Sequence, residues 1–237
     1  MSKTLTLAKR ELLAYFVSPI AYIIGALFLL ASAALFFGSL QIGGEASLRP
    51  LFQIMALLMV AAVPLLTMGL LSKEYDSGTI ETLMTSPVTE TEVVLGKFVG
   101  VFAFYLLLLA STLSLLGLTI VFGRPDFGVA VMGYLGMILL GAAFISTGLF
   151  ASAMTRHQLV AVVVAIALLG CFALLMGVVV RLGVTPWDQM ADNLNAMKWF
   201  TYFSRGVFDT RGLVYFLSAT VLMLFLSVKV LESRRWR

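Results

Sequence analysis

Apolar runs recur along this chain, broken by short clusters of charge, glycine and proline. Each run is about twenty residues long, which as a helix crosses about 30 Å of hydrocarbon. The runs lack the alternation of a lipid-facing strand, and within lipid a helix satisfies its own backbone donors and acceptors. The pattern predicts six membrane-spanning helices at about residues 20–40, 51–71, 98–122, 128–153, 159–180 and 213–231. Ahead of them, residues 2–18 set Leu5, Leu7, Ala8, Leu12, Leu13, Tyr15 and Phe16 on one side of a helix and Lys3, Lys9, Arg10 and Glu11 on the other. That is an amphipathic helix for the membrane interface, its basic face toward anionic headgroups. Ser18-Pro19 ends it, because the residue before proline avoids helical geometry. The fold class is an all-α polytopic membrane protein, one transmembrane domain over residues 1–237.

Composition sharpens this picture. Hydrophobic residues make up 61% and charged residues 12% of the chain, and the mean hydropathy is +1.04. Soluble domains carry about twice that share of charge. The pI near 9.3 is explained by cytoplasmic loops under the positive-inside rule rather than by a nucleic-acid partner. With both termini inside, the inner side holds Lys3, Lys9, Arg10, Lys73, Lys97, Arg156, Lys229, Arg234, Arg235 and Arg237, against Arg49, Arg124, Arg181, Lys198, Arg205 and Arg211 outside. The basic tail decides the orientation: both termini and the loop of residues 72–97 are expected in the cytoplasm. The first apolar run is too long for the core of a cleavable leader, so none is expected. The spans are nearly free of ionisable side chains, whereas ion-driven carriers place carboxylates or broken helices at the midplane. The energy source is expected elsewhere.

Enzymatic chemistry finds no support. Cys171, the lone cysteine, excludes an internal disulfide and a multi-cysteine metal site; mid-run beside Gly170 and Phe172 it reads as a packed thiol. His157, the lone histidine, has no metal-ligand spacing, and Ser146-Thr147 lacks a nucleophile context. Gly96-Lys97 is no nucleotide loop, for it lacks the earlier glycine and is followed by Phe98. No catalytic residue, metal or bound cofactor is predicted.

The loop of residues 72–97 carries Glu74, Asp76, Glu81, Glu90 and Glu92, five of the twelve acidic residues. Gly78 permits a sharp turn and Thr79 is a plausible helix N-cap, with Glu81 favouring the positive helix end. Ile80, Leu83 and Met84 give this short helix an apolar face, and Ser86-Pro87 stops it. Thr89 then caps a second helix with Glu92 in the capping-box position. On the outer side, residues 181–212 hold a helix start at Thr185-Pro186-Trp187-Asp188. An apolar stripe follows at Trp187, Met190, Leu194 and Met197, then aromatics at Trp199, Phe200, Tyr202 and Phe203. Physics alone reads this as a helix in the outer interface, its aromatics at headgroup depth.

Lys73-Glu74-Tyr75-x-x-Gly78-Thr79-Ile80-Glu81-x-Leu83, then Ser86-Pro87-Val88 and Leu95-Gly96-Lys97, resembles the cytoplasmic loop of ABC-2 type ABC transporter permeases. Tyr15-Phe16-x-Ser18-Pro19-Ile20-Ala21-Tyr22, Phe208-Asp209-Thr210-Arg211 and the tail from Leu231 resemble the gliding-motility-associated (GldF-like) subfamily, with the copper-delivery (NosY-like) permeases as neighbours. The resemblance implies the permease half of a bacterial inner-membrane ABC transporter. Two copies of a separate ATP-binding subunit would use ATP and Mg, and a second permease chain, identical or related, would complete the pathway. It implies that the loop is a coupling helix, with Glu74, Gly78, Thr79, Glu81, Leu83 and Pro87 at the ATPase contact. Pro64 is the candidate hinge, and Trp187, Met190, Leu194 and Phe200 belong to a re-entrant or external gate helix. The competing expectation is a mechanotransmission complex or envelope anchor that signals to a periplasmic or auxiliary membrane partner without moving a substrate.

Overall fold

The computed structural model describes residues 3–43, 48–78, 88–122, 126–182 and 188–235. Its described elements are helices: α1 (Lys3–Val17), α2 (Pro19–Gly43), α3 (Leu48–Thr67), α4 (Ser72–Asp76), α5 (Glu90–Ser111), α6 (Leu113–Phe122), α7 (Phe127–Met154), α8 (Gln158–Gly170), a π turn (Cys171–Leu175), α9 (Met176–Leu182), α10 (Asp188–Leu194), α11 (Ala196–Ser204) and α12 (Thr210–Arg235). Among the described residues six stretches are long and apolar enough to cross a membrane: Pro19–Gly38, Leu48–Asp76, Glu90–Gly117, Phe127–Met154, Gln158–Leu182 and Thr210–Ser233.

Local chemistry sets the ends of these helices. Pro19 opens α2 at the position where a missing N–H costs nothing. The third span begins at Glu90, well ahead of the first apolar residue of its run, because Thr89 builds the capping box. Its hydroxyl accepts from the Glu92 N–H at 3.2 Å, and the Glu92 carboxylate accepts from the Thr89 N–H at 2.9 Å. Asp126 caps α7 with its side chain alone, which accepts from the Gly128 N–H at 2.9 Å.

α7 is the hub, with α3, α5, α8, α11 and α12 all packed on it. Four glycines notch its surface to different sides. A Cβ at Gly133 would stand 2.2 Å from the Phe52 ring, at Gly141 2.2 Å from the Tyr105 ring, at Gly148 2.1 Å from Thr67 Oγ1, and at Gly136 2.6 Å from Phe203 Cβ. In lipid, apolar side chains gain little by leaving one hydrocarbon environment for another, so helices associate through such close packing. The bundle is therefore keyed together by shape at α7.

The segment between the fifth and sixth spans departs from the stripe expected of it. Asn195 interrupts the helix, its side-chain oxygen accepting from the Met197 and Lys198 N–H groups at 3.0 and 3.3 Å, and α11 starts afresh. Trp199, Phe200 and Phe203 then turn into the bundle and are buried, while Tyr202 stays partly exposed. The cluster therefore packs on the bundle instead of forming a free-standing stripe. Gly136 of α7 and Gly212 of α12 supply the room, a Cβ at Gly212 lying 2.8 Å from the Phe203 ring.

Candidate functional site

The richest polar chemistry gathers where α1, α4 and the first turns of α5 meet. It begins with a break in the second span. α3 runs through Pro64 without interruption to Thr67, and the helix stops over residues 68–71, one turn later. A broken helix strands backbone groups that must find partners. Ser152 of α7 supplies them from one hydroxyl, which accepts from the Leu71 and Ser72 N–H groups at 3.0 and 3.1 Å and donates to the Met68 carbonyl at 2.9 Å. The Ser72 hydroxyl donates to the same carbonyl.

α4 follows as a single short helix closed by Ser77, whose hydroxyl donates to the Lys73 carbonyl at 2.8 Å. Gly78 leaves it at φ +71°, the left-handed conformation that glycine takes without penalty. At the same end the exposed His157 ring lies 3.7 Å from the Asp76 carboxylate.

α1 lies directly against α5. Gly96 and Gly100, four residues apart on α5, form the crossing: a Cβ at Gly96 would sit 2.7 Å from Leu7 Cβ, and one at Gly100 2.9 Å from the Ala8 carbonyl. Small residues at this spacing let two helix backbones touch. The contact carries Glu11 to Lys97, one residue beyond Gly96. The Lys97 side chain is 3% exposed, and its ammonium lies 2.9 Å from Glu11 Oε1 and 2.7 Å from Glu74 Oε1. The Arg10 guanidinium borders both carboxylates, 3.5 Å from Glu11 and 3.8 Å from Glu74. Two cations and two anions thus join α1, α4 and α5.

Two features were not expected. Glu11 leaves the headgroup face given to it and turns inward, and Lys97, on the helix that Thr89 caps, is buried rather than free at the cytoplasmic side. The reason is mutual: several kcal/mol are needed to desolvate an ammonium, and two carboxylates at hydrogen-bond distance offset that cost. Tyr15 fastens α1 to the second span as well. Its hydroxyl donates to the Leu66 carbonyl at 2.6 Å, and its ring stacks on Phe104 with centroids 5.1 Å apart. Burial, with the Glu11 carboxylate adding to it, holds this phenol well above its ordinary pKa, so it remains a donor.

Of the residues proposed for the ATPase contact, Glu74 faces inward onto Lys97 and Gly78 forms the exit turn. Thr79, Glu81, Leu83 and Pro87 lie outside the described residues, as does Trp187. Met190 and Leu194 are exposed, while Phe200 is buried on α7, so the outer candidates do not share one face. Glu11, Tyr15, Lys97 and Ser152 were missed as site residues; the spacing of Gly96 and Gly100 beside Lys97 was the signal available for the first and third. Farther along the bundle, an apolar groove of about 730 Å³ opens between α7, α8 and α12, lined by Phe144, Leu169, Phe172, Phe216, Leu222 and Phe225 among others. The junction of α1, α4 and α5 can transmit force between a loop and the spans that root it.

Residues 17–231 match the sequence model of the ABC-2 family transporter protein. No curated protein matches the chain.

Proposed function

The chain belongs to the ABC-2 family of transporter proteins, and from that premise we propose that the α1–α4–α5 junction transmits the stroke of an ATPase to the membrane spans. The chain is a multi-pass membrane permease subunit of an ABC transporter, the component that partners an ATP-binding subunit. In this proposal the segment between α4 and α5 docks in the ATPase, with Gly78, Thr79, Glu81, Leu83 and Pro87 at the contact and Glu74 bracing it from within. Two ATPase copies closing on ATP and Mg press on the segment. A second permease chain, identical or related, forms the other half of the pathway. Both termini face the cytoplasm of a bacterium across its inner membrane, and the chain serves a gliding-motility-associated type of transporter.

The observation that carries this reading is Lys97 held between Glu74 and Glu11. The docking segment leaves from α4 and returns through α5, and this cluster ties the two roots to each other and to α1. A push on the segment therefore moves the second and third spans with α1 as one body, bending at the break held by Ser152 or at Pro64. The test is to co-purify the ATP-binding subunit with Glu81→Lys and Leu83→Asp variants and to measure permease-stimulated ATP hydrolysis and transport. Folded variants that lose both support the proposal; undiminished stimulation overturns it. Stimulation lost without any transport by the wild type would assign the same junction to mechanotransmission toward a periplasmic partner.

A further inference from the structure

A crevice of about 180 Å³ opens between α1, the start of α2, the turn after α3 and the start of α8. Its lining changes character with depth. Ser18 stands at the beginning of the first span, Lys73 at the end of the second and Gln158 at the beginning of the fifth, all at one end of the bundle. From there Ile20, Ala21 and Ile24 on one side and Leu65 and Leu66 on the other continue along the spans as an apolar wall.

The three polar residues are unengaged. Among the described residues no hydrogen bond or ion pair takes the Ser18 hydroxyl, the Lys73 ammonium or the Gln158 side-chain amide. The fourth polar residue of the lining, Glu11, is already held by Lys97 at 2.9 Å. The charged residues that line the crevice are Glu11 and Lys73. Glu11 is held by Lys97 and bordered by Arg10, which leaves Lys73 as the lining charge without an ion-pair partner. The exposed Lys73 ammonium and the half-buried Ser18 and Gln158 side chains are open to an incoming acceptor, the uncompensated charge favours an anion, and the wall behind them suits hydrocarbon. A free solute anion would leave the wall unused, and a hydrocarbon alone would desolvate the donors.

We propose that this crevice is a binding site for an anionic phospholipid of the leaflet on the side of the termini. Its phosphate sits among Lys73, Ser18 and Gln158, and one acyl chain lies against Ile20, Ile24 and Leu65. Basic crevices between membrane helices at a span end are suited to such headgroups. The volume admits the phosphate and the first part of a chain, the remainder of the lipid staying in the bilayer.

The full chain in mild detergent is incubated with phosphatidylglycerol or with phosphatidylcholine of the same acyl chains, and bound lipid is counted by native mass spectrometry. Phosphatidylglycerol is expected to be retained in preference. Lys73→Gln should lower its occupancy about five-fold, the value of one nearby cation, and Lys73→Gln with Gln158→Leu should lower it further. Arg156→Gln removes an exposed cation at the same end that does not line the crevice, and should change nothing. Equal retention of phosphatidylcholine, or an equal loss in Arg156→Gln, would mean diffuse surface attraction and overturn the site. Displacement of the lipid by millimolar inorganic phosphate would overturn it in favour of a free-anion site.

Discussion

Replacing Lys97 with methionine tests the ion cluster directly, because methionine fills the same space without the charge. In the native chain the ammonium lies within 2.9 Å of both carboxylates; in Lys97→Met, Glu11 and Glu74 face one another with only Arg10 nearby. Breaking a buried pair by removing one partner costs about 3–5 kcal/mol. The carboxylate side chains are 14% and 17% exposed and Arg10 is 59% exposed, so partial solvation places the cost near ~3 kcal/mol. At about 2–4 °C per kcal/mol for a chain of this size, Tm should fall by about 6–12 °C. The decisive comparison is the neutral triple variant, Lys97→Met with Glu11→Gln and Glu74→Gln. It removes the buried charges, leaves only the solvated Arg10, and should recover most of that loss, since neutral replacement of a buried ion group is often without penalty. Both are measured by thermal unfolding of the full chain in the same detergent or nanodisc. A Lys97→Met protein within about 2 °C of wild type, or a triple variant no better than the single one, would refute a buried, mutually compensated cluster.

Three other changes probe the packing around it. Gly100→Leu drives a side chain into the Ala8 carbonyl, 2.9 Å from the position of a Cβ, and should lift α1 from α5, exposing residues 3–17 to limited proteolysis while the spans stay protected. Ser152→Ala strands the Leu71 and Ser72 N–H groups and the Met68 carbonyl, at a cost of about 1–3 kcal/mol; hydrogen exchange should rise at residues 71 and 72 ahead of the rest of the chain. Asn195→Ala removes the cap of α11 and should cost about 1 kcal/mol, read as a lower Tm that Asn195→Asp restores.

The spans were legible because length and apolarity alone determine them, and the Thr89–Glu92 capping box was legible because it is local in sequence. What was not legible is which polar residues turn inward. Glu11 looked like one more charge on the polar face of α1, since its partner Lys97 is 86 residues away. Lys97 falls on the helix that the capping box starts, but it read as a cytoplasmic cation because hydropathy starts the third span at Phe98 and its carboxylate partners come from other elements. Gly133, Gly136, Gly141 and Gly148 of α7 lie within an apolar run that predicts only a span, yet each of the four receives a particular neighbour. Pro64 attracted the hinge assignment because proline is the visible helix breaker; the helix runs through it, and a break the sequence did not announce falls at residues 68–71, where a serine on another helix accommodates it.

α5 joins these features into one mechanical element. It begins at the Thr89 cap, holds Lys97 in the ion cluster and Gly100 under α1, and reaches Tyr105. There the ring fills the notch at Gly141 and the hydroxyl donates to the Met137 carbonyl at 2.8 Å. From Thr89 to Tyr105 the helix rises about 24 Å at about 1.5 Å per residue, with no proline or π turn along the way. Such a helix bends little under load, so a displacement of its first turn is delivered to the middle of α7. Tyr105→Phe keeps the ring in the notch and removes the hydroxyl, leaving the Met137 carbonyl to its helical bond alone. Its stability should fall by only about 0.5–1.5 kcal/mol. Gly141→Leu instead closes the notch, forcing α5 and α7 apart where a Cβ would already stand 2.2 Å from the ring. If α5 is the lever, Gly141→Leu should abolish permease-stimulated ATP hydrolysis in a complex that still assembles, while Tyr105→Phe retains it. Stimulation that survives Gly141→Leu would mean that force reaches the bundle by another helix.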